Sequence, residues 1–232
     1  MHSHTHLTRR PWDFWLARAA VLLVAVLQFA VINDFSFGPK WLAPVLEIAL
    51  LLPLSFATAW TLGKARSTAE PHVLEVAKYR RAIRSAAMLL TALITVMNFA
   101  ALFDLVRALL SGKAGAGPSL LLDALNIWAT NVIAFSLWFW NMDRGGPAMR
   151  GLGLHRREDF LFPQMSLPQL HDEEWAPGFV DYLFLAFTNA TAFSPTDTLP
   201  LSQRAKLLMM AQAAVSLLVV ALVAARAVNI LA

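Results

Sequence analysis

Oxygen-bearing side chains cluster in one short stretch of this otherwise apolar chain, between Thr188 and Leu201. Rings of backbone carbonyls and of carboxylate side chains are the groups that select cations in a pore. Irregular backbone at membrane depth persists only where protein or a water-filled cavity surrounds it. This stretch is therefore the first candidate for ion chemistry. Its candidate pore residues are Thr191, Ala192, Phe193, Ser194, Pro195, Thr196 and Asp197.

The same residues also fit a structural turn between two helices. Pro195 fixes φ and removes a backbone N–H, so the pair Ser194-Pro195 would end one helix. Thr196 or Asp197 would then cap the next helix through its side-chain oxygen. These residues alone leave two interpretations open. One is a pore lined by hydroxyl groups and a carboxylate, and the other is a helix–turn–helix connection.

Polar residues inside the apolar runs form a second set of candidates. A charged group is costly at membrane depth, so such residues mark ion or proton paths or pair within the protein. Glu47 and Asp123 are candidates for a proton relay, because a carboxyl group beside a wet path can titrate. Amide side chains more often join helices through hydrogen bonds. The whole set is Glu47, Asn98, Asp123, Asn126 and Asn131.

No enzyme signature accompanies these candidates. The chain has no cysteine, which excludes a thiolate nucleophile and a cysteine-ligated metal. It also lacks the HExxH, G-x-S-x-G and P-loop patterns. We therefore expect no enzymatic activity, no metal site and no cofactor. The net charge of +4 comes from basic residues in the loops between apolar runs, so we expect no nucleic-acid partner.

Composition places the candidates in a polytopic membrane protein. Of the 232 residues, 58% are hydrophobic and only 15% are charged, whereas about 25% are charged in soluble domains. A helix needs roughly 20 apolar residues to span a bilayer. The sequence predicts an all-α single domain with five long transmembrane helices and a short re-entrant or half-membrane helix at about Gly178–Phe193. The long helices are predicted at about Phe14–Ile32, Trp41–Leu62, Ala86–Leu109, Leu120–Trp140 and Lys206–Leu231.

Three polar segments separate these helices: a flexible N-terminal tail (residues 1–13), a basic segment (residues 69–84) and a polar loop (residues 141–176). The basic segment fits an amphipathic helix that lies on an anionic leaflet. It fits equally well the first turns of a long helix that extends beyond the membrane. Its lipid-surface candidates are Lys78, Arg80, Arg81 and Arg84.

The distribution of Lys and Arg predicts the orientation of the chain. The tail, the connection between the second and third predicted helices and the 141–176 loop carry most of the basic residues, whereas the opposite face has only Lys40 and Lys113. This bias places the N-terminus and the 141–176 loop in the cytoplasm. A loop that enters the membrane after Ala176 would then dip from the cytoplasmic side, unless residues 179–193 cross as a short sixth helix.

The run from Asn189 to Pro200, followed by a long apolar helix, resembles the pore module of potassium channels. In that family the pattern T-x-T-T-V-G-Y-G-D-x-x-P precedes the inner helix, and Thr191, Asp197 and Pro200 match it in spacing. The sequence differs at the filter itself, where Ala-Phe-Ser-Pro-Thr-Asp replaces Thr-Val-Gly-Tyr-Gly-Asp. The phrases LWFWNMDRGGP, FTNATAFSPTDTLPL and ARAVNIL also resemble an uncharacterised family of bacterial polytopic membrane proteins.

The resemblance implies a cation-channel-like protein of the bacterial inner membrane whose pore module covers residues 175–231. A monovalent cation is the implied ligand, and a homotetramer is the implied assembly, because one chain supplies one element of a ring. Two other functions remain open. One is a non-conducting scaffold or lipid-interacting protein that uses the basic segment. The weaker one is a proton-coupled small carrier that uses Glu47 and Asp123.

Overall fold

The computed structural model describes residues 11–31, 45, 48–49, 73–111, 117–147, 157–166, 175–191 and 197–231. These residues are mostly helical. The helices are α1 (Pro11–Val31), α2 (Val73–Leu110), α3 (Gly117–Met142), α4 (Pro163–Ser166), α5 (Phe179–Thr191) and α6 (Gln203–Leu231). A 3-10 turn, Asp143–Gly145, follows α3, and two short strands, β1 (Phe160–Leu161) and β2 (Leu199–Pro200), pair in antiparallel register.

Within the described part of the chain, three helical segments are long and apolar enough to cross a membrane, by length and composition. They are Arg81–Leu110, Leu120–Gly145 and Gln203–Ala225. The coarse prediction of a helical membrane protein therefore stands, whereas the count of five long spanning helices is not confirmed. The predicted second helix, Trp41–Leu62, lies outside the described residues except for positions 45, 48 and 49, which are helical.

Helix α2 is much longer than a membrane crossing requires. Its 38 residues extend roughly 57 Å at the rise of an α-helix, against about 30 Å for the hydrocarbon core of a bilayer. Residues 73–84 are continuous with the rest of this helix. They form the first turns of a long helix, which was one of the two interpretations of the basic segment.

Helix α3 lies at the centre of the bundle and contacts α1, α2, α5 and α6. The share of its spanning segment that is buried is 61%, against 28% for α2 and 22% for α6. Nearly every residue from Thr130 to Asp143 is buried, as a helix surrounded by other helices requires. The elements of the candidate site are therefore positioned by α3.

Contacts along α3 fix the direction of its neighbours. Trp138 donates a hydrogen bond from Nε1 to Thr95 Oγ1 over 2.9 Å, whereas Leu102 packs in one cluster with Leu120, so α2 and α3 are antiparallel. The ring of Phe14, near the start of α1, meets the ring of Trp140 edge-on at 5.5 Å. The starts of α1 and of the spanning part of α2 thus lie at the end of the bundle where α3 finishes, which we call the Asp143 end.

Candidate functional site

Helices α5 and α6 both begin at the Asp143 end. The Tyr182 hydroxyl, in the first turn of α5, donates a hydrogen bond to Asp143 Oδ2 over 2.5 Å. The Arg204 guanidinium, in the first turn of α6, donates from Nε and Nη2 to the two oxygens of Asp159 over 2.7 and 2.6 Å. The backbone N–H of Asp159 in turn donates to Asp143 Oδ1 over 2.7 Å. One group of side chains therefore holds the starts of both helices.

The two helices then advance in the same direction. Gln212 Nε2 donates to the backbone carbonyl of Ala186 over 2.7 Å, and Asn189 Nδ2 donates to the carbonyl of Met209 over 2.9 Å. Gln212 lies near the middle of the spanning segment Gln203–Ala225. The 13 residues of α5 cover roughly 20 Å, so α5 ends at mid-span.

The chain is back at the Asp143 end by Leu199. Strand β2 pairs with β1, with Leu199 opposite Leu161 and Pro200 opposite Phe160. The backbone N–H of Leu201 donates to the carbonyl of Asp159 over 2.8 Å. The two described ends of the connection from α5 to α6 therefore lie at different depths, with Thr191 deep and Leu199 at the surface end.

The structure describes only part of the predicted pore segment. Thr191 closes α5 and is half-buried, and its hydroxyl donates to the carbonyl of Thr188 over 3.0 Å. Asp197 is exposed and lies just before β2. The residues between them, Ala192, Phe193, Ser194, Pro195 and Thr196, lie outside the described part of the chain.

The cluster at the Asp143 end was not foreseen from the sequence. Its acidic members are fully buried: Asp143 exposes 0% of its surface and Asp159 1%. A buried carboxylate is tolerated only when it is paired and hydrogen-bonded, and here each one is. Asp143 accepts two backbone N–H groups and the Tyr182 hydroxyl, while Asp159 accepts the fork of Arg204.

A tight turn directs Asp143 into the bundle. Arg144 adopts a left-handed conformation with φ of 52°, and Gly145 and Gly146 have φ of 82° and 83°. A Cβ on Gly146 would come within 2.6 Å of the carbonyl oxygen of Asn141. The pair of glycines in the DRGGP phrase was the signal in the sequence for this turn, because such angles favour glycine.

A second polar network joins α3, α5 and α6 deeper in the bundle. Asn131 Nδ2 donates to the carbonyl of Gln212 over 3.2 Å and to Ser216 Oγ over 2.9 Å. Asn189 Nδ2 also donates to Gln212 Oε1 over 2.8 Å. Asn131, Gln212 and Ser216 are all buried. Of the predicted intramembrane candidates, Asn131 is the one for which the described contacts reach α6.

The other predicted residues lie apart from these networks. Asn98 is buried in α2, Asp123 is half-buried in α3, and Asn126 accepts a hydrogen bond from Thr130 within α3. Arg81 is exposed and Arg84 is half-buried, near the start of the spanning part of α2. Outside the described residues lie Glu47 and the side chains of Lys78 and Arg80.

Two carboxylates cap the start of α5. The Gly178 N–H donates to Asp181 Oδ2 over 2.7 Å, and the Phe179 N–H donates to Asp13 Oδ1 over 3.2 Å. Both acids satisfy N–H groups that an isolated helix leaves unpaired and favour the positive end of its dipole. Asp13 comes from the first turn of α1, so the cap also joins α1 to α5.

Comparison with protein-family models, with curated proteins and with solved structures gives no match for this chain. Within the described residues, no group of three or more His, Asp or Glu side chains is arranged to hold a metal ion. The class that the fold defines is a helical protein whose described residues include three segments able to span a membrane and paired buried acids at one end of the bundle.

Proposed function

We propose that this protein is one subunit of a cation-conducting membrane pore. The observation that carries the proposal is the parallel course of α5 and α6 from the Asp143 end, with α5 ending at mid-span and the chain returning to that end at Leu199. A helix of this kind is a re-entrant pore helix. Residues 175–231 then form the pore module, and α6 lines it.

The chemistry at the end of α5 favours a cation. The carbonyl end of a helix carries a partial negative charge, and its last carbonyls lack partners in the helix. Thr191 lies at this end, and Asp197 lies on the way back to β2. A monovalent cation that has shed water would be stabilised by these oxygens, as in filters built from carbonyl and carboxylate groups.

A ring of copies of the chain is needed to enclose such a path, and a homotetramer is the simplest ring. Apolar side chains of α5 and α6 are exposed in the single chain, among them Phe184 and Phe187 on α5 and Met210 and Leu217 on α6. They are available to neighbouring copies or to lipid. With the N-terminus in the cytoplasm, the pore helix would enter from the cytoplasmic side, opposite to the filter loop of potassium channels.

Ion flux in liposomes tests the proposal. The purified protein is reconstituted and cation flux is measured over a range of voltage and pH. Thr191→Val and Asp197→Asn should lower the flux or change the ratio of potassium to sodium permeability. Thr188→Val is the matched control, because the Thr188 hydroxyl makes the same kind of hydrogen bond within the helix as that of Thr191 but lies three residues before the end of α5. Folded protein that gives no flux under any of these conditions would contradict the proposal.

The length of α2 favours a second candidate function, the binding of anionic lipid. Its first turns extend past a membrane crossing, and they carry Lys78, Arg80, Arg81 and Arg84. Basic residues beside a membrane are attracted to anionic headgroups. Vesicle binding that is lost when Arg81 and Arg84 are changed to Gln, with flux absent in the unchanged protein, would favour this function over the pore.

A further inference from the structure

Asn189 is an amide side chain near the deep end of α5, and the structure fixes its orientation. It lies two residues before the end of the helix. Both hydrogens of its amide are used toward α6, one on the carbonyl of Met209 and one on Gln212 Oε1. An amide turned the other way would place its oxygen against these two oxygens, so Asn189 has one favourable orientation.

The side-chain amide of Gln212 also has one favourable orientation. Its Nε2 donates to the carbonyl of Ala186, so its Oε1 is the atom that accepts from Asn189. Gln212 exposes 0% of its surface. Its backbone carbonyl accepts from Asn131 of α3. The direction of the Asn189 amide is therefore imposed by the carbonyl of Met209 and by the side chain of Gln212, which the carbonyl of Ala186 fixes in turn.

The remaining atom of that amide, Asn189 Oδ1, is turned away from Met209 and Gln212. It accepts no hydrogen bond from any residue that the structure describes. It also differs from Gln28 Oε1 and Asp104 Oδ2, which lack a partner and are sealed inside the protein. Asn189 Oδ1 is therefore an accessible carbonyl oxygen at mid-span, and a buried network holds it in one direction. Among the described residues, no donor occupies it, so it is available to coordinate a cation.

We propose that Asn189 Oδ1 is an oxygen ligand for a monovalent cation at the deep end of α5, with Gln212 as its positioning residue. This inference rests on the proposed function, because it assigns a binding atom in the same pore module. The amide oxygen adds to the partial negative charge of the helix end. A neutral oxygen ligand also suits conduction, since a permeating ion must bind well enough to enter and weakly enough to leave.

Cation-dependent thermal stability measures this site without requiring flux. A ligand that binds the folded state raises the melting temperature, and the increase grows with the logarithm of one plus the ratio of ligand concentration to Kd. The purified protein is melted in potassium chloride and in sodium chloride, against choline chloride at the same ionic strength. We expect the unchanged protein to melt higher in at least one of the two alkali salts. Asn189→Leu should weaken the apparent cation affinity roughly tenfold or more, as loss of an interaction with a charged group does.

Asn131→Leu is the matched control for loss of structure. It also removes two hydrogen bonds that an asparagine donates to α6, yet it leaves Asn189 in place. It should lower the melting temperature in every salt and keep the cation-dependent increase. Asn189→Asp loses the same donors as Asn189→Leu but retains oxygens, so it should keep more of the cation-dependent increase than Asn189→Leu does. Gln212→Met decides the matter if Asn189→Leu does not fold.

The outcomes separate this inference from the proposed function. No alkali-dependent increase in the unchanged protein, or an increase that Asn189→Leu leaves intact, overturns the ligand assignment. If Asn189→Leu does not fold, an increase that Gln212→Met leaves intact overturns it. An increase that is lost in Asn189→Leu, reduced in Gln212→Met and kept in Asn131→Leu supports it. If that pattern appears while liposomes show no flux, the cation site stands and the conducting pore does not.

Discussion

The hydroxyl of Tyr182 donates a hydrogen bond to Oδ2 of Asp143 over 2.5 Å, and this contact ties the first turn of α5 to the end of α3. Both side chains are fully buried. The Tyr182 ring also meets the rings of Phe160 and Phe162 edge-on, at 6.3 and 5.2 Å. The polar contact therefore sits inside an aromatic cluster, where water cannot replace a lost partner.

Tyr182→Phe should destabilise the protein while leaving the aromatic packing in place. It removes one donor from the buried Asp143 carboxylate, which costs about 1–3 kcal/mol in the free energy of unfolding. Denaturation of the purified protein in detergent measures the change. Phe184→Leu is the control on the exposed face of the same helix and should have little effect. Equal stability of Tyr182→Phe and the unchanged protein would show that this contact does not hold α5.

Gly178→Ala should disturb the cap of α5. A Cβ at this position would lie 2.6 Å from Asp13 Oδ1, so the Asp13 carboxylate would have to move away from the Phe179 N–H. We expect a loss of about 1–2 kcal/mol, the size of a lost helix cap. The double variant with Asp13→Ala tests the cause. If both variants are less stable because the Asp13 cap is lost, the double variant should lose less free energy of unfolding than the sum of the two single losses.

Arg204→Gln should loosen the β1–β2 pairing. Arg204 is exposed, but its partner Asp159 is buried and would be left without its bidentate donors. The 157–166 segment should then be cleaved faster by a protease under native conditions. Lys206→Gln, an exposed position two residues further on in α6, should leave the cleavage rate unchanged. Equal cleavage rates in the two variants would show that the Arg204–Asp159 ion pair does not hold the β1–β2 pair together.

Cysteine labelling should place Asp197 on the same side of the membrane as Ser166 and on the side opposite Ser111. The chain has no cysteine of its own, so each single substitution to Cys gives one signal. Asp197 and Ser166 are exposed and flank the β1–β2 pair at the Asp143 end, whereas Ser111 is exposed beyond the end of α2. An impermeant maleimide applied to intact cells and to inverted vesicles distinguishes the sides. Labelling of Asp197 and Ser111 from one side would contradict a re-entrant α5.

The sequence predicted those features that depend on runs of residues along one helix. The helices predicted at Leu120–Trp140 and Lys206–Leu231 appear as α3 and α6, and the short one predicted at Gly178–Phe193 appears as α5. Hydropathy alone suffices there, because lipid requires a continuous apolar run from each crossing. Hydropathy placed the start of the apolar part of α2 at Ala86 and left two interpretations of residues 69–84 open; residues 73–84 form the first turns of the long helix, which was one of the two.

The side-chain networks were not predictable in the same way. Asp143 and Tyr182 are 39 positions apart, and Asp159 and Arg204 are 45 apart. Their pairing depends on how helices pack, which no local pattern records. Tyr182 stands within an apolar run, where an anchoring role at the membrane surface is the simpler interpretation. Gln212 is a single amide in a long apolar helix and carries no spacing signal.

The central position of α3 has a consequence for the order of assembly during synthesis. Its neighbours α1 and α2 leave the ribosome before it, and α5 and α6 leave after it. Segments made early can pack before later ones exist. When residues 175–231 emerge, α3 can therefore already be packed against α1 and α2. Asn131 and the end of α3 are then available for α5 and α6 to pack against. The late half of the chain takes its position from the early half, and an error in placing α3 would be passed on to every helix made after it.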